Sequence, residues 1–192
     1  MADLPDYSGE FITEIKYDDF SKDVLLRMLD VFAKEIMLVD GLWRSQVARV
    51  HSEDEAWNFS KAVWEKLAEY DPRAVAKALG IVGNDLASFM KINQWFGTFW
   101  PTMFPRKIEL KDNNHGVVTC VDCASLKHFE KLGDEEGIRR CCQEMECYIW
   151  EKYAKSINPK IEFTPLKMPP RTSPDGRADI GNDRGRSFVR GR

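Results

Sequence analysis

The apolar residues of this chain change period once, around Pro101 and Pro105, and that change restricts the fold more than any other feature. Before it they recur every three or four positions, as on a helix; after it they alternate, as on a strand. Ser21 can cap a helix whose Leu25, Met28, Leu29, Phe32 and Ile36 share one buried face. Asp40-Gly41 marks a break, and Leu42 to Val50 resumes as helix. Ser52 and Glu55 form a capping box, opening a helix with the stripe Ala56, Phe59, Val63, Leu67 and Tyr70. Pro72 suits the first turn of a short helix ending near Gly80. Asn84 is placed to cap the next helix, over 86–100, whose apolar residues run nearly all round and so must be wrapped by other elements.

Beyond the prolines, Lys107 to Lys111 alternates, 112–116 is dense in turn formers, and Val117 to Val121 is rich in β-branched residues. Together they read as a hairpin. A long helix is predicted from about Asp134 to Ser156, and Lys160 to Lys167 reads as a third strand. The expected class is α+β: a helical N-terminal half plus a small antiparallel sheet packed with one long helix. Residues 1–20 read as a flexible leader, 21–170 as one domain and 171–192 as a disordered Arg/Gly tail.

A net charge of -3 argues against a nucleic-acid binder, which needs a basic surface. No stretch approaches the roughly 18 apolar residues of a membrane span. The start of the chain is acidic and lacks an apolar signal core, which points to the cytoplasm. Five cysteines, an odd number, fit reduced thiols better than a disulfide framework.

All five fall between Cys120 and Cys147, which makes that segment the first place to look for chemistry. Cys120, Cys123 and Cys141 are candidate ligands for zinc or an iron–sulfur cluster, with His115 or His128 as a fourth. On an unbroken helix, at about 100° per residue, Cys141, Cys142 and Cys147 would point in three directions, which weakens a shared site. Cys142 falls on the apolar stripe of Ile138, Met145, Ile149 and Tyr153, where a thiol is a small core residue. Trp95, within the aromatic run, can line a ligand pocket, and Asn93 beside it is a buried amide that must find a partner or a ligand.

Asp40-Gly41-Leu42-Trp43, a strand ending at Cys120, a helix carrying Cys141 and Cys142, Asn158-Pro159-Lys160-Ile161 and Pro169-Pro170 occur here in an order that carries a resemblance. Over roughly residues 20–170 the chain resembles the L-2-amino-thiazoline-4-carboxylic acid hydrolase-like proteins and their uncharacterised prokaryotic (bacterial and archaeal) relatives. The resemblance implies a small-molecule-binding protein of the thiazoline type, either a hydrolase of a cyclic amidine C–N bond or a relative without turnover. Cys120 or Cys142 would supply the thiol and Asp40 or Asp122 the acid–base group, with Trp43 beside the ligand.

Two other readings stand beside it. One is a zinc or iron–sulfur accessory protein using the cysteines above. The other is a non-catalytic subunit or adaptor, engaging a protein partner through the 171–192 tail. Six Arg against three Asp give that tail +3 on a chain whose net charge is -3.

Overall fold

The computed structural model describes residues 3–96, 104–170 and 185–190, the last by its backbone alone. Ahead of the first helix, Leu4 bridges to Phe20 and Tyr17–Asp19 forms a single tight turn. Two long helices follow, α1 (Lys22–Val50) and α2 (Glu53–Leu79). Ser21 accepts the Val24 amide at 3.4 Å. Ser52 accepts the Glu55 amide at 3.2 Å, and its hydroxyl donates to the Glu55 carboxylate at 3.1 Å. Both start signals act as read.

The expected break at Asp40-Gly41 is corrected, because α1 passes straight through it. Asp40 accepts the Trp64 indole N–H of α2 at 3.1 Å instead of turning back on its own backbone. Packing against α2 outweighs the roughly 1 kcal/mol that an interior glycine costs. The short helix expected to start at Pro72 is likewise part of α2. Pro72 ends a buried row of Ala56, Ser60, Trp64, Ala68 and Pro72, spaced by four, and the contacts of that row offset the hydrogen bond proline removes. Phe59, Val63 and Tyr70, expected on the buried stripe, are exposed, as are Met28, Leu29, Phe32 and Ile36 of α1. Gly80 closes α2 with φ 65°, the left-handed conformation that glycine adopts freely.

α3 (Leu86–Asn93) is capped by Asp85, one residue after the expected Asn84, through the Ser88 amide at 2.8 Å. It ends at Asn93; the rest of the helix expected to Trp100 is not formed through residue 96, and 97–100 lie outside the described residues. β1 (Arg106–Asp112) and β2 (His115–Cys120) form the expected hairpin, with Arg106 opposite Cys120 in register. α4 (Ala124–Leu132) follows. The long helix is present but not uniform: α5 (Glu135–Ile138), a π-helical stretch Arg139–Met145, then α6 (Glu146–Ile157). β3 spans Glu162–Lys167.

The tail carries the largest correction. Gly185–Arg190 forms β4, which lies between β2 and β3 and pairs antiparallel with both, giving the order β1-β2-β4-β3. Six residues with only two large apolar side chains gave a weak strand signal in an Arg/Gly context. Two flanking ladders nonetheless engage their backbone. Those residues are therefore not a free cationic arm; 171–184 and 191–192 lie outside the described residues.

The class is α+β, mostly helical. The main core joins Trp64 and Ala68 of α2, Leu86, Phe89, Met90 and Ile92 of α3, and Ile149, Tyr153 and Ala154 of α6. The Phe96 and Tyr153 rings pack against each other with centroids 4.4 Å apart, tilted by 51°. A second cluster gathers Leu126, Phe129, Ile138, Cys141 and Cys142. No helix among the described residues is long and apolar enough to cross a membrane.

Candidate functional site

Four chain segments converge where the β1–β2 hairpin meets the long helix: the end of α3, the first residue of β1, the β2–α4 turn and the first turn of α6. They bring Asn93, Arg106, Cys120, Cys123 and Glu146 together. Asn93 is fully buried, and its Oδ1 accepts from Arg106 Nη1 at 3.1 Å. Its Nδ2 has no hydrogen-bond partner, a costly state for an enclosed amide. The Arg106 guanidinium lies 5.8 Å from the Trp150 ring centroid and within electrostatic reach of Cys120, Glu146 and Tyr153. Burial lowers its pKa to about 10, so it remains a cation at neutral pH.

Glu146 is the group most altered by its surroundings. Burial raises its pKa to about 7, while the Trp150 indole N–H, donated at 2.8 Å, and the Arg106 charge pull the other way. The π-helical stretch places it there. A π turn holds one residue more than an α turn, and the Glu146 amide bonds back five residues to the Cys141 carbonyl.

The thiols divide into two groups. Cys120 closes β2, and its S–H faces two acceptors, the Asp122 carbonyl at 3.0 Å and the Cys123 sulfur. Cys123 is the N-cap of α4, its sulfur accepting the Leu126 amide at 3.4 Å. The Cys120 hydrogen bond, then the α4 amides, lower the Cys123 pKa against the effect of burial; the same bond and burial raise that of Cys120. Cys141 and Cys142 instead sit in the second apolar cluster as free thiols, and a hydrogen bond to Cys142 together with burial pushes the Cys141 pKa well up. Cys147 directs its thiol to the Cys142 carbonyl at 3.8 Å.

The other residues expected from sequence are dispersed. Asp122 caps the Cys123 amide at 2.9 Å and pairs with Lys127, at the edge of the cluster. Asp40 lies between α1 and α2 on Trp64, where burial raises its pKa, and it is not among the charges acting on Cys120 or Cys123. Trp43 is exposed on α1. Trp95 borders an open groove of about 470 Å³ with Leu79, Lys91 and Gln94.

The metal reading is corrected. Among the described residues, no group of three or more His, Cys, Asp or Glu side chains is placed to hold a metal ion. Cys141 turns to Cys142, and His115 pairs with Asp112 at 2.7 Å in the hairpin turn. Arg106 and Glu146 escaped the sequence reading because each looks like an ordinary charge on an amphipathic element.

Fold and cluster together define an α+β protein with a half-buried thiol pair, carboxylate and guanidinium where the β1–β2 hairpin meets the helix. The chain belongs to the family of unknown function DUF6125, which it matches over residues 17–178. No curated protein and no solved structure matches it.

Proposed function

We propose that the chain binds a small cyclic amidine bearing a carboxylate and hydrolyses its ring C–N bond, an activity of the thiazoline type. The observation that supports this is the meeting of buried Asn93 with half-buried Arg106, Cys123 and Glu146 in one cluster. Arg106 and the unpartnered Asn93 amide offer N–H donors for the carboxylate. The Cys123 thiolate, favoured by its place at the α4 N-terminus, adds to the amidine carbon. As the C–N bond breaks, the Glu146 proton passes to the departing nitrogen. Glu146, now a carboxylate, takes a proton from the water that releases the group held on sulfur. A pKa of about 7 suits a residue that both gives and takes a proton at neutral pH.

The test is turnover of 2-amino-thiazoline-4-carboxylic acid and related cyclic amidines by wild-type protein and by Glu146→Gln and Cys123→Ala. Each variant should lose about 100-fold or more in kcat while keeping ligand affinity within a few-fold. Full turnover by Cys123→Ala would remove the thiol route. Binding without turnover in the wild-type protein would leave a ligand-binding role for the same cluster.

A further inference from the structure

We propose that the protein is a dimer in which two copies of α1 pack antiparallel along an apolar seam that the single chain leaves open. Of the 29 residues of α1, only Ala33 and Val47 are buried. Most of its exposed apolar residues lie along one stripe, with Leu26, Val31 and Leu38 outside it. Half-buried Leu25 and exposed Leu29, Phe32, Ile36, Val39, Trp43, Gln46 and Val50 follow alternating steps of four and three, the spacing that lets one helix mesh with another. Leu29, Phe32, Ile36, Val39, Trp43 and Val50 are between 45% and 67% exposed. Met28 and Leu42 flank the seam. The apolar surface these α1 residues leave open is on the order of 800 Å², more than a monomer usually exposes in one patch and about what one side of a stable interface buries.

The flanks decide the occupant and its direction. On one side of the seam, Ala33 and Val47 are buried and Asp40 is bonded to Trp64, so α2 covers that flank. The other flank, Met28, Glu35, Leu42 and Arg49, is open. A parallel pair would set the open flank of each copy against the covered flank of the other. An antiparallel pair sets open flank on open flank and leaves both α2 helices on the opposite side. Its layers are self-complementary: Leu25 with Val50, Leu29 with Gln46, Phe32 with Trp43, and Ile36 with Val39, each repeated by the two-fold axis. On the open flank Met28 meets Arg49 and Glu35 meets Leu42, so no like charges face each other.

Sedimentation equilibrium of the full chain at micromolar concentration should give a dimer. The double variant Phe32→Glu/Val39→Glu should weaken it by about 100-fold or more with an unchanged far-ultraviolet circular dichroism spectrum. Mixing a Leu29→Cys protein with a Gln46→Cys protein should give the mixed disulfide under mild oxidation, whereas Leu29→Cys alone should not crosslink above the wild-type background. A monomeric wild-type protein, or a dimer indifferent to the two glutamates, would overturn the proposal. Efficient crosslinking of Leu29→Cys with itself would overturn the antiparallel arrangement.

Discussion

Trp150 donates its indole N–H to Glu146, one helical turn back, at 2.8 Å. That bond lies at the first turn of α6, where the π-helical stretch gives way to the α-helix. It is the direct tie on a carboxyl group whose pKa burial has raised from 4.5 to about 7.

The consequence is a stability that depends on pH in a defined direction. Between about pH 4.5 and 7 the folded chain holds a proton on Glu146 that the unfolded chain has released. The unfolded state therefore binds fewer protons, and this group's contribution to stability falls as pH rises through that window. Glu146→Gln should remove the slope and stabilise the protein at pH 8 by up to about 3 kcal/mol. Urea denaturation at pH 5 and pH 8 measures it, and an unchanged slope in the variant would place the titration elsewhere.

Cys123 depends on Cys120 for much of its acidity, because the Cys120 S–H is the first cause of its lowered pKa. Cys120→Ala removes that donor while the Leu126 amide remains. The pH midpoint for alkylation of Cys123 by iodoacetamide should then rise, and its rate at pH 7 should fall several-fold. Peptide mass spectrometry resolves the site; a faster Cys123 in the variant would contradict the hydrogen-bond assignment.

The Asn93 Nδ2 group has no partner, and its Oδ1 holds Arg106. Asn93→Asp replaces the orphan N–H with a second acceptor beside a cation. Stability should stay level or rise by about 1 kcal/mol, while thermal protection by a small carboxylate disappears. Equal protection of variant and wild-type protein would show that the carboxylate binds elsewhere.

Gly116 of β2 lies against the end of the Met90 side chain of α3, and a Cβ there would overlap the Met90 methyl. Gly116→Ala should cost no more than about 1 kcal/mol, because the end of a flexible methionine side chain can move aside. Adding Met90→Val should recover part of that loss, which thermal denaturation of the single and double variants would reveal. Simple addition of the two losses would mean that strand and helix do not press on each other at this point.

Legibility from sequence followed the range of the forces involved. The caps at Ser21 and Ser52 are local hydrogen bonds, and the sequence shows them directly. The hairpin, with its turn formers between two alternating runs, is nearly as local. Gly41 and Pro72 misled because their intrinsic cost is overridden by packing between α1, α2 and α6, which no short window contains. The candidate site was half legible. Cys120 and Cys123 stood out by residue type, whereas Glu146 became distinctive only through the neighbours gathered around it. The exposed α1 stripe was legible as a pattern, but a pattern records which residues seek cover and not which molecule provides it.

β4 binds β2 on one side and β3 on the other, yet it follows both in the chain. During synthesis, β2 and β3 therefore emerge as open edges and remain so until Gly185–Arg190 arrives to join them. Over that interval the nascent chain offers two unpaired ladders to any neighbouring strand. The speed with which those six residues dock sets how long the new chain stays prone to aggregation.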